Sequence, residues 1–329
     1  GLSNTEAKQK ISDLIQNRNL GKKTITYHLR DWLISRQRYW GTPIPMFYDK
    51  NNNIIPVEED ELPVILPDAK EFKPTGQSPL TLDEKFLYYN HPKLGKLKRE
   101  TDTMDTFMDS SWYHLKFASP GISEVPFEKE KIDKWSPVDQ YMGGAEHAVM
   151  HLLYARFFNK VLRDLGYVNF DEPYKRLFNQ GVMLARHMKI SKRNNPLNPQ
   201  PLVEKYGTDS VRAYLMFLGP WDRGGDWSDS GINGIYRWLN RIWEMMTTKY
   251  HEKKILNLES KTLSQISNQT TKDILNGMRN FRFNTSIATL MEYSNNLSKI
   301  KKNGTVSNSE WLDACKRLLI HLSPICPHI

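Results

Sequence analysis

Apolar residues recur at helical spacing in several stretches of the chain. Over residues 5–17, Ile11, Leu14 and Ile15 share one face, with Ser3, Asn4 or Thr5 placed to cap the first turn and Gly21 beyond the end. Residues 24–36 carry Thr24, Ile25, Tyr27, Leu29, Trp32 and Ile34, a pattern that predicts a strand running into a loop. From about 46 to 98 the pattern breaks up. Short strand-like pieces (Ile54 to Pro56, Pro63 to Pro67) alternate with Asp, Asn, Lys, Gly and Pro, as in an inserted, loop-rich subdomain. Residues 143–165 predict a helix opened by Gly143 and Gly144, with Val149, Leu152, Leu153, Phe157, Val161 and Leu162 as its apolar face and Gly166 after it. Residues 177–184 predict a buried strand, followed by a basic loop from Arg186 to Arg193. A further helix is expected over about 200–217, then a glycine-rich turn at Gly219, Gly224 and Gly225. Beyond about 230 only helical patterns occur, at 231–251, 270–300 and 308–322. The predicted order is mixed α/β first and all-α second.

Composition narrows the class. The chain has 329 residues, room for two or three domains, and 39% hydrophobic with 25% charged residues is the make-up of a globular protein. No run of about 18 apolar residues occurs, so no membrane span is expected, and residues 1–18 lack the apolar core of a signal peptide. Two cysteines, Cys315 and Cys326, exclude a disulfide framework and a four-cysteine zinc site, and a reducing compartment is the simplest reading. Lys plus Arg (46) against Asp plus Glu (37) gives +9, which favours a polyanionic partner.

Four blocks could carry chemistry. Arg30 to Gly41 (Arg-Asp-Trp-Leu-Ile-Ser-Arg-Gln-Arg-Tyr-Trp-Gly) sets three arginines among three aromatics; guanidinium groups bind phosphates in bidentate fashion and flat rings stack on unpaired bases. The plain alternative is a surface ion-pair loop with two core tryptophans. Glu100 to Tyr113 places four acids among hydroxyls and aromatics, which suits a small ligand pocket or an ordinary capped turn. In Gly143 to His151, glycines permit close backbone approach to a ligand, and His147 and His151, four apart, are expected on one helix face. Metal binding fits poorly. The zincin order is His-Glu-x-x-His, whereas Glu146 precedes His147 and no third ligand is evident. A nucleotide or substrate pocket fits better, and a buried, hydrogen-bonded histidine pair is the plain alternative. In Arg186 to Asn195 (Arg-His-Met-Lys-Ile-Ser-Lys-Arg-Asn-Asn), lysines on a loop after a strand could neutralise charge on a departing phosphate, or form a solvated basic loop.

In this order and spacing, the four blocks resemble the class I aminoacyl-tRNA synthetases. Lys189-Ile190-Ser191-Lys192 is similar to the start of the family's Lys-Met-Ser-Lys-Ser loop. Arg-Asp-Trp-x-x-Ser-Arg-Gln-x-x-Trp-Gly is shared by the leucyl, isoleucyl and valyl branches. The block at 100–113, Gly143 to His151 with Leu-Leu-Tyr-Ala-Arg-Phe-Phe after it, and Tyr206-Gly-Thr-Asp-Ser-Val-Arg212 resemble the bacterial-type leucyl branch. The resemblance implies the second half of a Rossmann-like catalytic domain followed by a helical anticodon-binding bundle. Residues 1–25 would be a remnant of the connection from the editing domain, 26–229 catalytic (with 46–98 inserted) and 230–329 a truncated bundle. It further implies ATP-dependent activation of leucine and its transfer to tRNA(Leu), with Mg2+ accompanying ATP, no zinc, no membrane partner, and a cytoplasmic or mitochondrial-matrix location.

By position in the family motifs, Phe107, Ser110, Tyr113 and His147 would line the leucine pocket. Gly144, Glu146 and His151 would hold the adenosine part, the backbone at Val182 and Met183 would approach adenine, and Ser191 belongs to the same nucleotide set. Lys189 and Lys192 would stabilise the phosphates, and Arg36 and Arg38 would guide the tRNA acceptor end. Departures accompany the match. No His-x-Gly-His signature occurs in the chain, so an N-terminal half, in the same or another chain, is expected as partner. Ile190 replaces Met, Arg193 stands where Ser belongs, and the lysine loop is one residue short. The rival readings are a synthetase-derived RNA-binding module without aminoacylation, and an isoleucyl or valyl enzyme.

Overall fold

The computed structural model describes residues 1–26, 33–68, 76–185, 187–191 and 197–329. Contacts divide the chain into two compact units, Gly1–Ser110 and Ser111–Ile329.

In the first unit, helix α1 (Asn4–Asn17) starts on a capping box: the Ser3 hydroxyl accepts from the Glu6 backbone N–H while the Glu6 carboxylate accepts from the Ser3 N–H at 2.9 Å. The expected stripe of Ile11, Leu14 and Ile15 forms, yet none of the helix is buried. Of the strand predicted at 24–36, residues 27–32 (Arg30 among them) lie outside the described residues, and Ser35–Arg36 form β1. The loop-rich stretch builds β2 (Met46–Tyr48), β3 (Ile54–Pro56), the single turn α2 (Glu84–Leu87), β4 (Tyr88–His91) and β5 (Gly95–Arg99). They form an antiparallel sheet in the order β3-β2-β5-β4, with Phe47, Val57 and Leu97 as its small core. β6 (Thr103–Met104) then pairs with β1, and α3 (Thr106–Asp109) follows.

The second unit opens with α4 (Tyr113–Phe117) and α5 (Lys129–Trp135), then β7 (Tyr141–Gly143), α6 (His151–Asp164) and β8 (Leu177–Asn179). β7 and β8 are parallel with α6 between them in sequence, a βαβ unit. Arg156 of α6 grips Glu172, ahead of β8, through Nε at 2.7 Å and a second nitrogen at 2.8 Å, which pulls the Glu172 carboxyl down to about 2. Next come β9 (Met183–Ala185), β10 (Met188–Lys189), α7 (Gln200–Tyr206), α8 (Thr208–Phe217) and β11 (Gly225–Trp227). β11 pairs parallel with β9, and β10 antiparallel with it. Four helices follow: α9 (Gly231–Thr247), α10 (Asn257–Arg279), α11 (Phe283–Asn303) and α12 (Asn308–Leu322). Their core joins Trp238, Ile287, Leu290, Tyr293, Leu297 and Leu318, and it also takes in Cys315 and Cys326. Its polar tips are satisfied: Trp238 Nε1 donates to Ser294 Oγ at 2.9 Å, and the Tyr293 hydroxyl donates to the Ala314 carbonyl at 3.2 Å. No helix among the described residues is long and apolar enough to cross a membrane.

Several predicted elements are divided. The helix expected at 143–165 is the end of a strand, a 3-10 turn (Ala145–Ala148) and then a helix from His151. The strand at 177–184 is two strands separated at 180–182, and the helix at 200–217 breaks at Gly207, whose φ of 80° leaves helical space. The helix expected at 270–300 is two, broken at 280–282 around Phe281 (φ 55°), and the first starts at Asn257.

Two glycines fix how β9 meets β11. A Cβ on Gly181 would lie 2.0 Å from the Gly224 nitrogen, and one on Gly224 (φ 74°) would lie 2.1 Å from the Val182 oxygen. Gly224→Ala is therefore expected to destabilise the second unit by at least about 2 kcal/mol, from left-handed strain plus a backbone collision. Gly234, on α9 with open space around its Cα, is the counterpart. Gly234→Ala is expected to stabilise by up to about 1 kcal/mol through helix propensity. Urea unfolding of the two variants measures both, and equal effects would contradict the packing described.

Candidate functional site

In the first unit, two arginines of the 30–41 block, Arg36 and Arg38, converge on one carboxylate. Arg36 Nε lies 2.8 Å and an Arg38 terminal nitrogen 3.7 Å from the same Asp105 oxygen. The other Asp105 oxygen accepts from the Phe107 N–H at 2.9 Å and caps α3. Arg36 also donates to the carbonyls of Leu33 and Ser35, and Arg38 to the Thr106 hydroxyl at 3.2 Å. Asp105 is buried, whereas both guanidinium groups stay partly open to solvent. Gly41 is needed here because a Cβ would lie 2.6 Å from the Thr103 hydroxyl and 2.7 Å from the Met104 carbonyl, where β6 passes. Phe107 lies on α3 and Ser110 just after it, both half-buried.

In the second unit, rings gather against β7. Tyr141, the first residue of that strand, stacks on His151 with centroids 5.6 Å apart, and its hydroxyl lies 2.9 Å from His151 Nδ1. In the Nε2–H tautomer the phenol donates this bond. Burial and the neighbouring Tyr113 push the Tyr141 phenol pKa up, so it keeps its proton. Tyr113 lies 5.8 Å and His147 6.2 Å from the His151 ring, centroid to centroid. The strand–turn–helix path, rather than one helix face, brings the two histidines together. Gly144 begins the turn, and a Cβ there would lie 2.3 Å from a Glu146 oxygen, so that exposed carboxylate lies over the glycine backbone. Asn179, at the end of β8, donates from its side-chain amide to the Gly143 carbonyl at 2.9 Å and ties the two strand ends together. Ligands of open α/β sheets bind beyond the carboxyl ends of parallel strands, which is where Gly144 and Glu146 follow β7.

Val182 and Met183 lie where β9 begins, Val182 exposed and Met183 half-buried. Lys189 is exposed on β10, registered against Leu184, and Ser191 follows half-buried. Lys192, with Arg186 and Arg193 to Asn195, lies outside the described residues. His187, at φ 62°, pairs with Asp226 of β11 at 2.7 Å. Among the described residues no group of three or more His, Cys, Asp or Glu could hold a metal ion.

Reading the sequence missed three residues. Tyr141 carried no signal beyond its place two residues before Gly143, and Asp105 was one of four acids. His114 is the third. It is buried, its ring stands 5.6 Å from Tyr113 and 5.3 Å from Tyr174, and neither ring nitrogen has a hydrogen-bond partner among the described residues. Burial first, and the charge of His151 second, bring its pKa down to about 4 from 6.5. The unfolded chain therefore binds the extra proton between these values. The stabilising contribution is complete above pH 6.5 and is lost as pH falls towards 4. Between pH 7.5 and pH 5, the protein is expected to lose about 2 kcal/mol more than its His114→Phe variant in urea unfolding. Parallel pH dependences would show that His114 titrates normally.

The chain is similar to known proteins along its length. The family described as tRNA synthetases class I (I, L, M and V) matches residues 5–227. A leucine–tRNA ligase of Dehalococcoides mccartyi (strain ATCC BAA-2266 / KCTC 15142 / 195) is 52% identical over 331 residues, covering all of this chain and 41% of its own length. One from Herpetosiphon aurantiacus is 47% identical, also over all of this chain and 41% of its own length. A solved LeuRS–tRNA–LeuAMS ternary complex of Agrobacterium radiobacter K84 matches with a TM-score of 0.86 at 35% identity, over 98% of this chain and 43% of that one. A Mycobacterium tuberculosis methionyl-tRNA synthetase bound by methionyl-adenylate shares the fold, with a TM-score of 0.52 at 14% identity, over 74% of this chain and 52% of that one. The chain thus spans about two-fifths of the length of the curated relatives it matches. With the family matched over more than half of its residues, the chain belongs to the class I tRNA synthetases of the I, L, M and V group.

Proposed function

We propose that the chain carries part of a leucine–tRNA ligase, which activates leucine with ATP as leucyl-adenylate and transfers it to tRNA(Leu). The observation that carries this reading is the Tyr113–Tyr141–His147–His151 cluster packed on β7, beside the Gly143–Gly144 turn at that strand's carboxyl end. Identity of 47–52% along the whole chain to leucine–tRNA ligases supports it. On this reading 26–229 is catalytic and 230–329 the anticodon-binding bundle.

Tyr113 and His147 face the leucine side chain, while Gly144, Glu146 and His151 hold the adenosine. Val182, Met183 and Ser191 approach the nucleotide from β9 and the segment after β10. The reaction needs no protein nucleophile. The leucine carboxylate attacks the α-phosphorus of ATP and pyrophosphate leaves, so catalysis is alignment plus cation stabilisation of the departing charge. Mg2+ enters with ATP as part of the substrate. Lys189, exposed on β10, is suited to the phosphates, with Lys192 assigned beside it by motif alone. Motif resemblance likewise assigns Phe107 and Ser110 to leucine and Arg36 and Arg38 to the tRNA end. The shared Asp105 carboxylate orients both arginines, whose side chains stay partly open to solvent.

Leucine-dependent ATP–pyrophosphate exchange tests the reading. The chain alone, which contains no His-x-Gly-His, is expected to be inactive, and adding the segment with that signature from a curated relative is expected to give activity. In that mixture Lys189→Ala is expected to lower the exchange rate by about 100-fold. Robust exchange by the chain alone would contradict this division of labour. RNA binding by a mixture that never binds a leucyl-adenylate analogue would favour a non-catalytic module.

A further inference from the structure

A cavity of about 540 Å³ opens in the second unit, and its size is that of a ligand pocket. One wall is the turn that carries Trp221, Asp222 and Arg223. The other is the break between α10 and α11, with Phe281, Arg282 and Asn284. Phe178 of β8 forms part of the lining and stacks obliquely on Phe281, with centroids 4.8 Å apart. Phe283 joins the walls from behind, 5.2 Å from Trp221 and 6.0 Å from Phe281.

Three features of this wall lack the partners that a purely structural role would supply. Arg223 and Arg282 are exposed, and neither has a carboxylate within ion-pair distance among the described residues. Trp221 Nε1 is buried with no acceptor among the described residues, an arrangement that costs free energy unless something arrives to accept. Two other polar residues of the lining are engaged within the chain: Asn280 donates to the Asn276 carbonyl at 2.8 Å, and Thr285 donates to the Arg282 carbonyl at 2.9 Å. Two cations and one acid, Asp222, leave the mouth at +1.

Guanidinium pairs bind phosphate, and half-buried rings beside them offer a face or edge to a base. An indole N–H adds a donor for a base or sugar acceptor, as in the capture of unstacked nucleotides. We propose that this cavity receives one unstacked nucleotide of an RNA strand, its phosphate on Arg223 and Arg282 and its base against Phe281 and Trp221. None of these residues belongs to the cluster assigned to leucine and adenylate, so the site stands or falls independently of the activation reading.

The test uses the full 329-residue chain and a transcribed tRNA(Leu), with binding measured by fluorescence polarisation between about 50 and 300 mM salt. The Arg223→Gln/Arg282→Gln variant is expected to bind about tenfold more weakly at 100 mM salt. Its slope of log affinity against log salt is expected to be shallower by about one. Lys261→Gln, an exposed cation on α10 outside the cavity, is expected to change neither, and thermal melting should be unaltered because both arginines are exposed. RNA carrying 4-thiouridine is expected to crosslink to Phe281 or Trp221. Unchanged affinity and slope in the double variant, or crosslinks confined to other segments, would overturn the proposal. Displacement of the RNA by millimolar AMP would identify a free-mononucleotide site instead. Displacement by polyglutamate at matched ionic strength would identify an acidic protein partner. Retained binding of a leucyl-adenylate analogue by the double variant would separate this site from the leucine site.

Discussion

The second unit turns on a contact between two backbones with no side chain between them. At Gly181 and Gly224 the chain entering β9 and the chain entering β11 approach so closely that one methyl group on either would overlap the other. The Gly181 N–H donates to the Trp221 carbonyl at 2.8 Å, and the strands then run parallel from Met183 against Gly225 to Ala185 against Trp227. β9 leads to the lysine-bearing β10, and β11 leads to α9 and the bundle. The contact therefore registers the strand pair that bears Lys189 against the helices. A mixed region and an all-α region could otherwise be joined as beads on a string. Here they are built across one parallel strand pair.

How much of this was legible in the sequence depended on the range of the interactions. α12 and α1 were readable because their signals are local: Ser307 and Glu310 form a capping box, as do Ser3 and Glu6, and the apolar period follows at once. The break between α10 and α11 was not. Apolar residues continue through Met278, Phe281 and Phe283, and what stops the helix is the left-handed Phe281 together with an Asn280 side chain turned back to Asn276. Strand β7 hid for another reason. Three residues are too few to show a period, and Gly143 and Gly144 read as a helix start when the first of them ends a strand.

The candidate site followed the same rule. Its residue types were visible as motifs, since a histidine pair and glycines fall within nine residues. The partners that orient them were invisible. Asp105 reaches Arg36 across 69 positions, and Tyr141 meets His151 only because the chain folds back through the 3-10 turn. The +9 charge divides in the same way. Part of it is neutralised locally, as where Arg156 and Lys160 hold Glu172, while Arg223, Arg282 and Lys189 keep theirs facing solvent.

The two thiols give the bundle a built-in reporter. Cys315 lies among Tyr293, Leu318 and their neighbours, Cys326 near the Asp209 carbonyl, and burial pushes both pKa values up to about 12. In the folded state they are shielded both from reagent and from ionisation, so an alkylating agent meets them only when the helices part. The rate of thiol modification is then a clock for opening of the bundle, started without introducing a label and read from the second unit alone, since the first contains no cysteine.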